Sequence, residues 1–198
     1  MSTERASATD TRERLLRAAE DLLVEAESEA AVSVRALERH AGVTAPTIYR
    51  YFPDMGALLA EVAGRQFARL EEALAAAAGT DLSPEEQIQA YERAFARFGL
   101  EHPHEYRVLF LNRVSDTGPA ADRVRRAASY HRVVEVVRRS IADGTLASDE
   151  DADEIASLLI MSLHGVISML IARPGGWADA DRLVERMMHA IGYGIVPR

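Results

Sequence analysis

The stretch Ala41-Gly-Val-Thr-Ala-Pro-Thr-Ile-Tyr-Arg-Tyr-Phe-Pro-Asp-Met55, AGVTAPTIYRYFPDM, decides how the chain is read. Gly42 breaks a preceding helix, and Thr44 stands where a new one starts, with Pro46 in its first turn. Ile48 and Phe52, four residues apart, share one face and point inward. Pro46 and Arg50 then point the opposite way, with Thr47 and Tyr49 on the flanks. The outward side offers a guanidinium, a hydroxyl, a phenol and the free N–H groups of a helix start. Such groups suit DNA: Thr44, Tyr49 and the N–H groups for phosphates, and Arg50 or Thr47 for base edges in the major groove. A short preceding helix capped by Ser33 and carrying Arg35 completes a helix-turn-helix.

Working outward, nearly every segment reads as helix. Leu15, Leu16, Ala19, Leu22 and Leu23 form a stripe at helical spacing, with Asp10 and Glu13 placed as a capping box. A long helix after Pro53-Asp54 runs to the alanines near Ala78, where Gly79 stops it. Ser83-Pro-Glu-Glu86 starts another, reaching about Phe98. Further helices are expected over Pro103–Asn112, Pro119–Asp143, Ser148–Arg173 and Ala178–Ile191. No segment alternates with the period of a strand. The expectation is an all-α chain of about nine helices, with a head at 1–53 and a helical core at 54–198.

Composition narrows the chemistry. The chain has 198 residues, a net charge of -8, 48% hydrophobic residues and no cysteine. Disulfides, thiolate catalysis and zinc-finger chemistry are excluded, and a buried core is expected. All 23 basic residues are arginine, a side chain suited to phosphate and guanine, although genomic base composition accounts for it equally. Met1 to Asp10 has no apolar run of a signal peptide. The apolar run Leu158–Ala172 falls short of the roughly 20 residues of a membrane span. A soluble, cytoplasmic protein with no membrane partner is expected. No serine lies in a nucleophile elbow, no phosphate loop occurs, and His102 and His104 make a poor metal pair. Neither an enzyme, a cofactor nor a metal is expected.

The run from Ser33 to Leu59, with a match extending back to Thr11, resembles the DNA-binding head of the TetR family of transcriptional regulators. The resemblance covers about a quarter of the chain. It implies an all-α homodimer, a double-stranded DNA operator, and a small-molecule effector whose binding in the core releases that operator. It further implies phosphate contacts from Thr44, Tyr49 and Tyr51, and a base-facing surface of Ala45, Pro46, Thr47 and Arg50. Two positions depart from the family pattern: Met55 where a phosphate-binding lysine is usual, and Glu38 where a small alanine is usual. Residues 1–60 carry seven arginines against ten acids, whereas Ser33–Phe52 carries three arginines against one glutamate. The local surface is thus positive within an acidic head.

Beyond residue 60, Leu158 to Leu170 is similar to the helix of WHG-type C-terminal domains, through His164-Gly165 but without the usual tryptophan. Ser162, Gly165 and Ser168 on that helix, and Leu183, Val184, Met187 and Ile191 on the last one, are expected to form a dimer interface; closing the monomer's own core is the other reading. Tyr91, Phe95, Phe98, Tyr106, Phe110, His131, Met161 and His164 are the candidates for lining a hydrophobic effector site, against the alternative that they are simply core. A small-molecule-binding protein of the same fold with weak or lost DNA binding is the competing function, motivated by Glu38, Met55 and the acidic head.

Overall fold

A computed structural model describes residues 2–26, 31–77, 81–111, 127–144, 151–177 and 179–195, with Gly79 and Leu146 between them. The described residues are helical and contain no strand. In chain order the helices are α1 (Ser2–Ala26), α2 (Val34–Ala41), α3 (Ala45–Tyr51), α4 (Met55–Ala77), α5 (Pro84–Glu101), α6 (Pro103–Tyr106), α7 (Ala128–Ala142), α8 (Ala152–Ala172) and α9 (Ala180–Ile195). The short α6 passes directly into a π-helical turn, Arg107–Leu111.

Two compact units make up the chain: Met1–Ala68 with His104–Ala120, and Arg69–Pro103 with Ala121–Arg198. The division therefore differs from the expected break at residue 53, because α4 continues past the head and the segment after Pro103 joins the first unit.

In the first unit, Leu15, Leu16, Ala19 and Leu23 of α1 meet Leu37, Ala41, Ile48, Phe52, Leu58, Val62 and Val108 in one apolar cluster. Arginines of α1 and α4 tie the helices laterally. Arg12 pairs with Glu61, and Arg65 donates both terminal N–H groups to Glu13 at 2.7 and 2.6 Å. That fork holds the Glu13 carboxyl below its ordinary range. Helix α1 begins at Ser2, so Asp10 lies inside the helix and the expected capping box with Glu13 does not form.

The second unit packs α5 against α7 and α8, α7 against α8, and α9 against α8. Its capping is legible in the sequence. The Ser83 N–H donates to Glu86 Oε2 at 2.8 Å, and the Glu86 N–H donates to Ser83 Oγ at 3.3 Å. Helix α5 runs to Glu101, three residues past Phe98. Helix α8 starts after Asp151, whose Oδ1 accepts from the Asp153 N–H at 2.7 Å. The expected starts at Pro119 and Ser148 lie outside the described residues. At 21 residues and mean hydropathy 2.2, α8 does reach the length and apolarity of a membrane span. Its Ile155, Leu159, Leu163, Ile167 and Leu170 nevertheless form the buried core of the second unit, which is the role such a helix plays in a folded bundle.

Candidate nucleic-acid interface and regulatory core

The helix-turn-helix follows from capping and one left-handed residue. Ser33 Oγ accepts from the Ala36 N–H at 3.3 Å and starts α2. Gly42 stops it at φ 63°, a conformation that favours glycine, and its N–H donates to the Glu38 carbonyl. Arg14 Nη2 donates to the Ala41 carbonyl at 2.6 Å, covering another open acceptor of the helix end. Ile48 and Phe52 are buried at 1% and 2% exposure, as their spacing predicts. Pro46, Tyr49 and Arg50 are exposed, while Ala45, Thr47 and Tyr51 are half-buried.

The start of α3 differs from the expectation. Thr44 is extended, but its side chain makes no capping hydrogen bond; its Oγ1 lies 3.2 Å from Thr47 Oγ1. Glu38 supplies the cap instead, its Oε1 accepting from the Ala45 N–H at 2.7 Å. Pro46 has no N–H, and the Thr47 N–H donates to the Thr44 carbonyl at 2.9 Å. None of the first three positions therefore presents a free N–H, so the N–H groups expected to hold a phosphate at this helix start are engaged within the protein. Sequence reading registered Glu38 only as a departure. Its partner lies seven residues away across the turn, beyond any local capping motif.

At the other end, Arg50 Nη2 donates to the Tyr51 hydroxyl at 2.7 Å, and its Cζ lies 5.0 Å from that ring's centroid. The guanidinium on the outward face is thereby oriented by its neighbour. Arg12 lies 5.2 Å over the Phe52 ring. Ser33 and Arg35 are exposed at the start of α2.

The eight residues expected to line an effector site are distributed over both units. Tyr91, Phe95 and Phe98 lie on α5 in the second unit, with Tyr91 and Phe98 buried and Phe95 half-buried. Tyr106 and Phe110 belong to the first unit, their rings 4.8 Å apart. His131 is exposed on α7, because Val133, Val134, Val136 and Val137 supply the buried side of that helix. Met161 is 60% exposed and does not line an interior site of this chain. His164 is half-buried, and burial lowers its pKa. Ser168 Oγ donates to the His164 carbonyl at 2.7 Å. Sequence reading missed Glu92, which is buried on α5. Its position one turn after Ile88 and one before Ala96 was the available signal.

The residues expected at a dimer interface separate into two groups. On α8, Leu158, Met161, Gly165 and Met169 form an exposed stripe with half-buried Ser162 and Ser168 beside it. On α9, Leu183 is exposed, and Met187 and Ile191 are half-buried. Val184 is the correction: with Met188 it is buried in the unit's own core.

Comparison with known proteins agrees with this arrangement. Residues 15–62 match the bacterial regulatory proteins of the tetR family, and residues 88–191 match the tetracyclin repressor-like C-terminal domain. A protein with unknown function from Rhodococcus sp. RHA1 superposes with TM-score 0.76 at 26% identity, over 94% of this chain and 96% of that one. A TetR-like transcriptional regulator from Rhodococcus sp. RHA1 gives 0.68 at 23% identity, over 93% and 94%. The transcriptional regulator FadR from Bacillus subtilis, in complex with stearoyl-CoA, gives 0.75 at 13% identity, over 92% and 98%, a likeness of fold alone. No curated protein matches the chain in sequence. Matched in its helix-turn-helix head and across more than half its length in the helical core, the chain belongs to the TetR family of transcriptional regulators.

Proposed function

We propose that the protein is a homodimeric, ligand-responsive repressor that binds a two-fold-symmetric operator and leaves it when a hydrophobic effector occupies the C-terminal core. The observation that carries the DNA reading is the outward face of α3, where Pro46, Tyr49 and Arg50 are exposed above buried Ile48 and Phe52. Arg50 and Thr47 read base edges, while Tyr49, Tyr51 and Thr44 contact phosphates, with Ser33 and Arg35 on the flanking backbone. Cytoplasmic localisation follows from this role.

The dimer reading rests on the apolar stripe Leu158, Met161, Gly165 and Met169 on α8, with Leu183 of α9 on a helix packed against it. An exposed stripe of that size on a soluble bundle calls for a partner surface, and a second copy satisfies it symmetrically. Effector responsiveness is supported by the apolar, aromatic-bearing core and by the stearoyl-CoA complex of the FadR neighbour. Glu38 at the head of α3 motivates a second reading, a sensor of the same fold with weakened DNA binding.

Fluorescence anisotropy with labelled duplex DNA at rising salt tests the two. The repressor reading predicts sequence-dependent binding whose affinity falls steeply between roughly 50 and 200 mM salt. Equal, weak binding to every duplex favours the sensor reading.

A further inference from the structure

Arg12, Arg14 and Arg65 serve the scaffold of the first unit. Arg12 pairs with Glu61, Arg14 donates to the Ala41 carbonyl at 2.6 Å, and Arg65 forks onto Glu13. Arg50 is different. It is exposed near the end of α3, and its partner is a neutral phenol. Its Nη2 donates to the Tyr51 hydroxyl at 2.7 Å, and its Cζ stands 5.0 Å from the centroid of the same ring. One side chain thus holds the guanidinium by a stack and a hydrogen bond together. Asp54, the nearest acid along the chain, is engaged at the start of α4, its Oδ1 accepting from the Ala57 N–H at 2.7 Å.

Neighbours i and i+1 on a helix do not face each other, so this contact is not a consequence of spacing. It forms because Arg50 lies back over a ring that is itself fixed. Tyr51 is the last residue of α3, and its half-buried ring packs against the apolar cluster that contains Leu37, Ile48 and Phe52. An unrestrained arginine loses rotamer freedom when it docks on a base edge, and one already held loses less. The Tyr51 oxygen accepts from Arg50, which leaves the phenol's own O–H to donate to a DNA phosphate.

We propose that Tyr51 is a positioning residue that sets Arg50 as a bidentate reader of guanine, so that one G·C pair in each operator half-site is chosen through the Tyr51 hydroxyl. This rests on the DNA-binding reading of α3 and names the base that it selects. The planar fork of a guanidinium matches the O6 and N7 acceptors that guanine presents side by side in the major groove. With one Nη2 hydrogen on the phenol, the guanidinium keeps N–H groups for both acceptors. Backbone register and base choice then meet at one oxygen, that of Tyr51.

Competition anisotropy tests this, using the operator that the full-length wild type recovers from random duplexes and a panel of every single-base-pair change in it. Expected for wild type is a loss of at least about tenfold at one G·C pair per half-site, a loss that disappears in Arg50→Ala. Tyr51→Phe keeps the ring and its packing. It is expected to lower discrimination at that same pair about three- to tenfold, beyond a uniform weakening of the whole panel. Tyr49→Phe weakens every duplex alike and leaves the ratio at that pair unchanged. In the Arg50→Ala background, Tyr51→Phe alters no ratio. Discrimination at that pair that survives Tyr51→Phe removes the Tyr51 assignment alone. An Arg50-dependent pair that is A·T, or the lack of any Arg50-dependent pair, overturns the guanine assignment. Wild type that selects no DNA removes the DNA-binding reading on which both stand.

Discussion

At the residue scale, two glutamates depart from what their neighbourhood leads one to expect. Glu38 caps α3 through the Ala45 N–H and brings a negative charge to the side proposed to meet phosphates. Glu38→Gln keeps an acceptor and removes the charge, so operator affinity rises across all sequences while the melting temperature holds. Glu38→Ala loses the cap and costs about 1 kcal/mol of stability. Parallel anisotropy and thermal melts check both, and unchanged affinity in Glu38→Gln contradicts the electrostatic role. Glu92 gives a pH signature. Its folded-state pKa, about 7, lies above the ordinary 4.5, so the folded chain holds a proton that the unfolded chain has released. The stabilisation is complete below pH 4.5 and is lost as pH rises through about 7, a difference on the order of 3 kcal/mol at most. His164, lowered by burial from 6.5, contributes the opposite slope at pH values below 6.5. Urea unfolding of wild type minus Glu92→Gln isolates the glutamate: the difference grows from pH 5 to 8, and parallel curves contradict it.

At the element scale, α3 and α8 each separate a buried face from an exposed one. Arg50→Ala removes a side chain aimed outward and held by Tyr51, so it costs about 1–3 kcal/mol at one base pair and relaxes preference there. Tyr49→Phe weakens all sequences alike. Binding to a panel of single-base operator variants distinguishes the two patterns. On α8, Met161→Glu places a charge on the apolar stripe without touching Ile167 or Leu163 in the core. The dimer reading predicts, by sedimentation velocity, a dimer for wild type and a monomer of unchanged helicity for the variant. A wild type that stays monomeric at micromolar concentration contradicts the interface. These two helices also show how far sequence carries. Ile48 with Phe52, Gly42, and the Ser83–Glu86 box are local signals at fixed spacing, and each resolves as read. The start of α1 at Ser2, the Glu38 cap, the inward turn of Val184 and the outward turn of Met161 depend on what lies across from them. Local spacing carries no such information.

At the scale of the whole molecule, the helical class and the helix-turn-helix were legible because both are written in periodicity, caps and breakers. The effector region was not, since aromatic residues at helical spacing serve core and site alike. Tyr106 and Phe110 went to one unit and Tyr91, Phe95 and Phe98 to the other. The central claim is that two copies of α3 read one symmetric DNA site. Selection of duplexes from a random pool by the purified protein, followed by sequencing, tests it most directly. The account predicts an enriched inverted repeat whose half-sites lie about one helical turn, or a multiple of it, apart. Enrichment of nothing above background at low salt would contradict it.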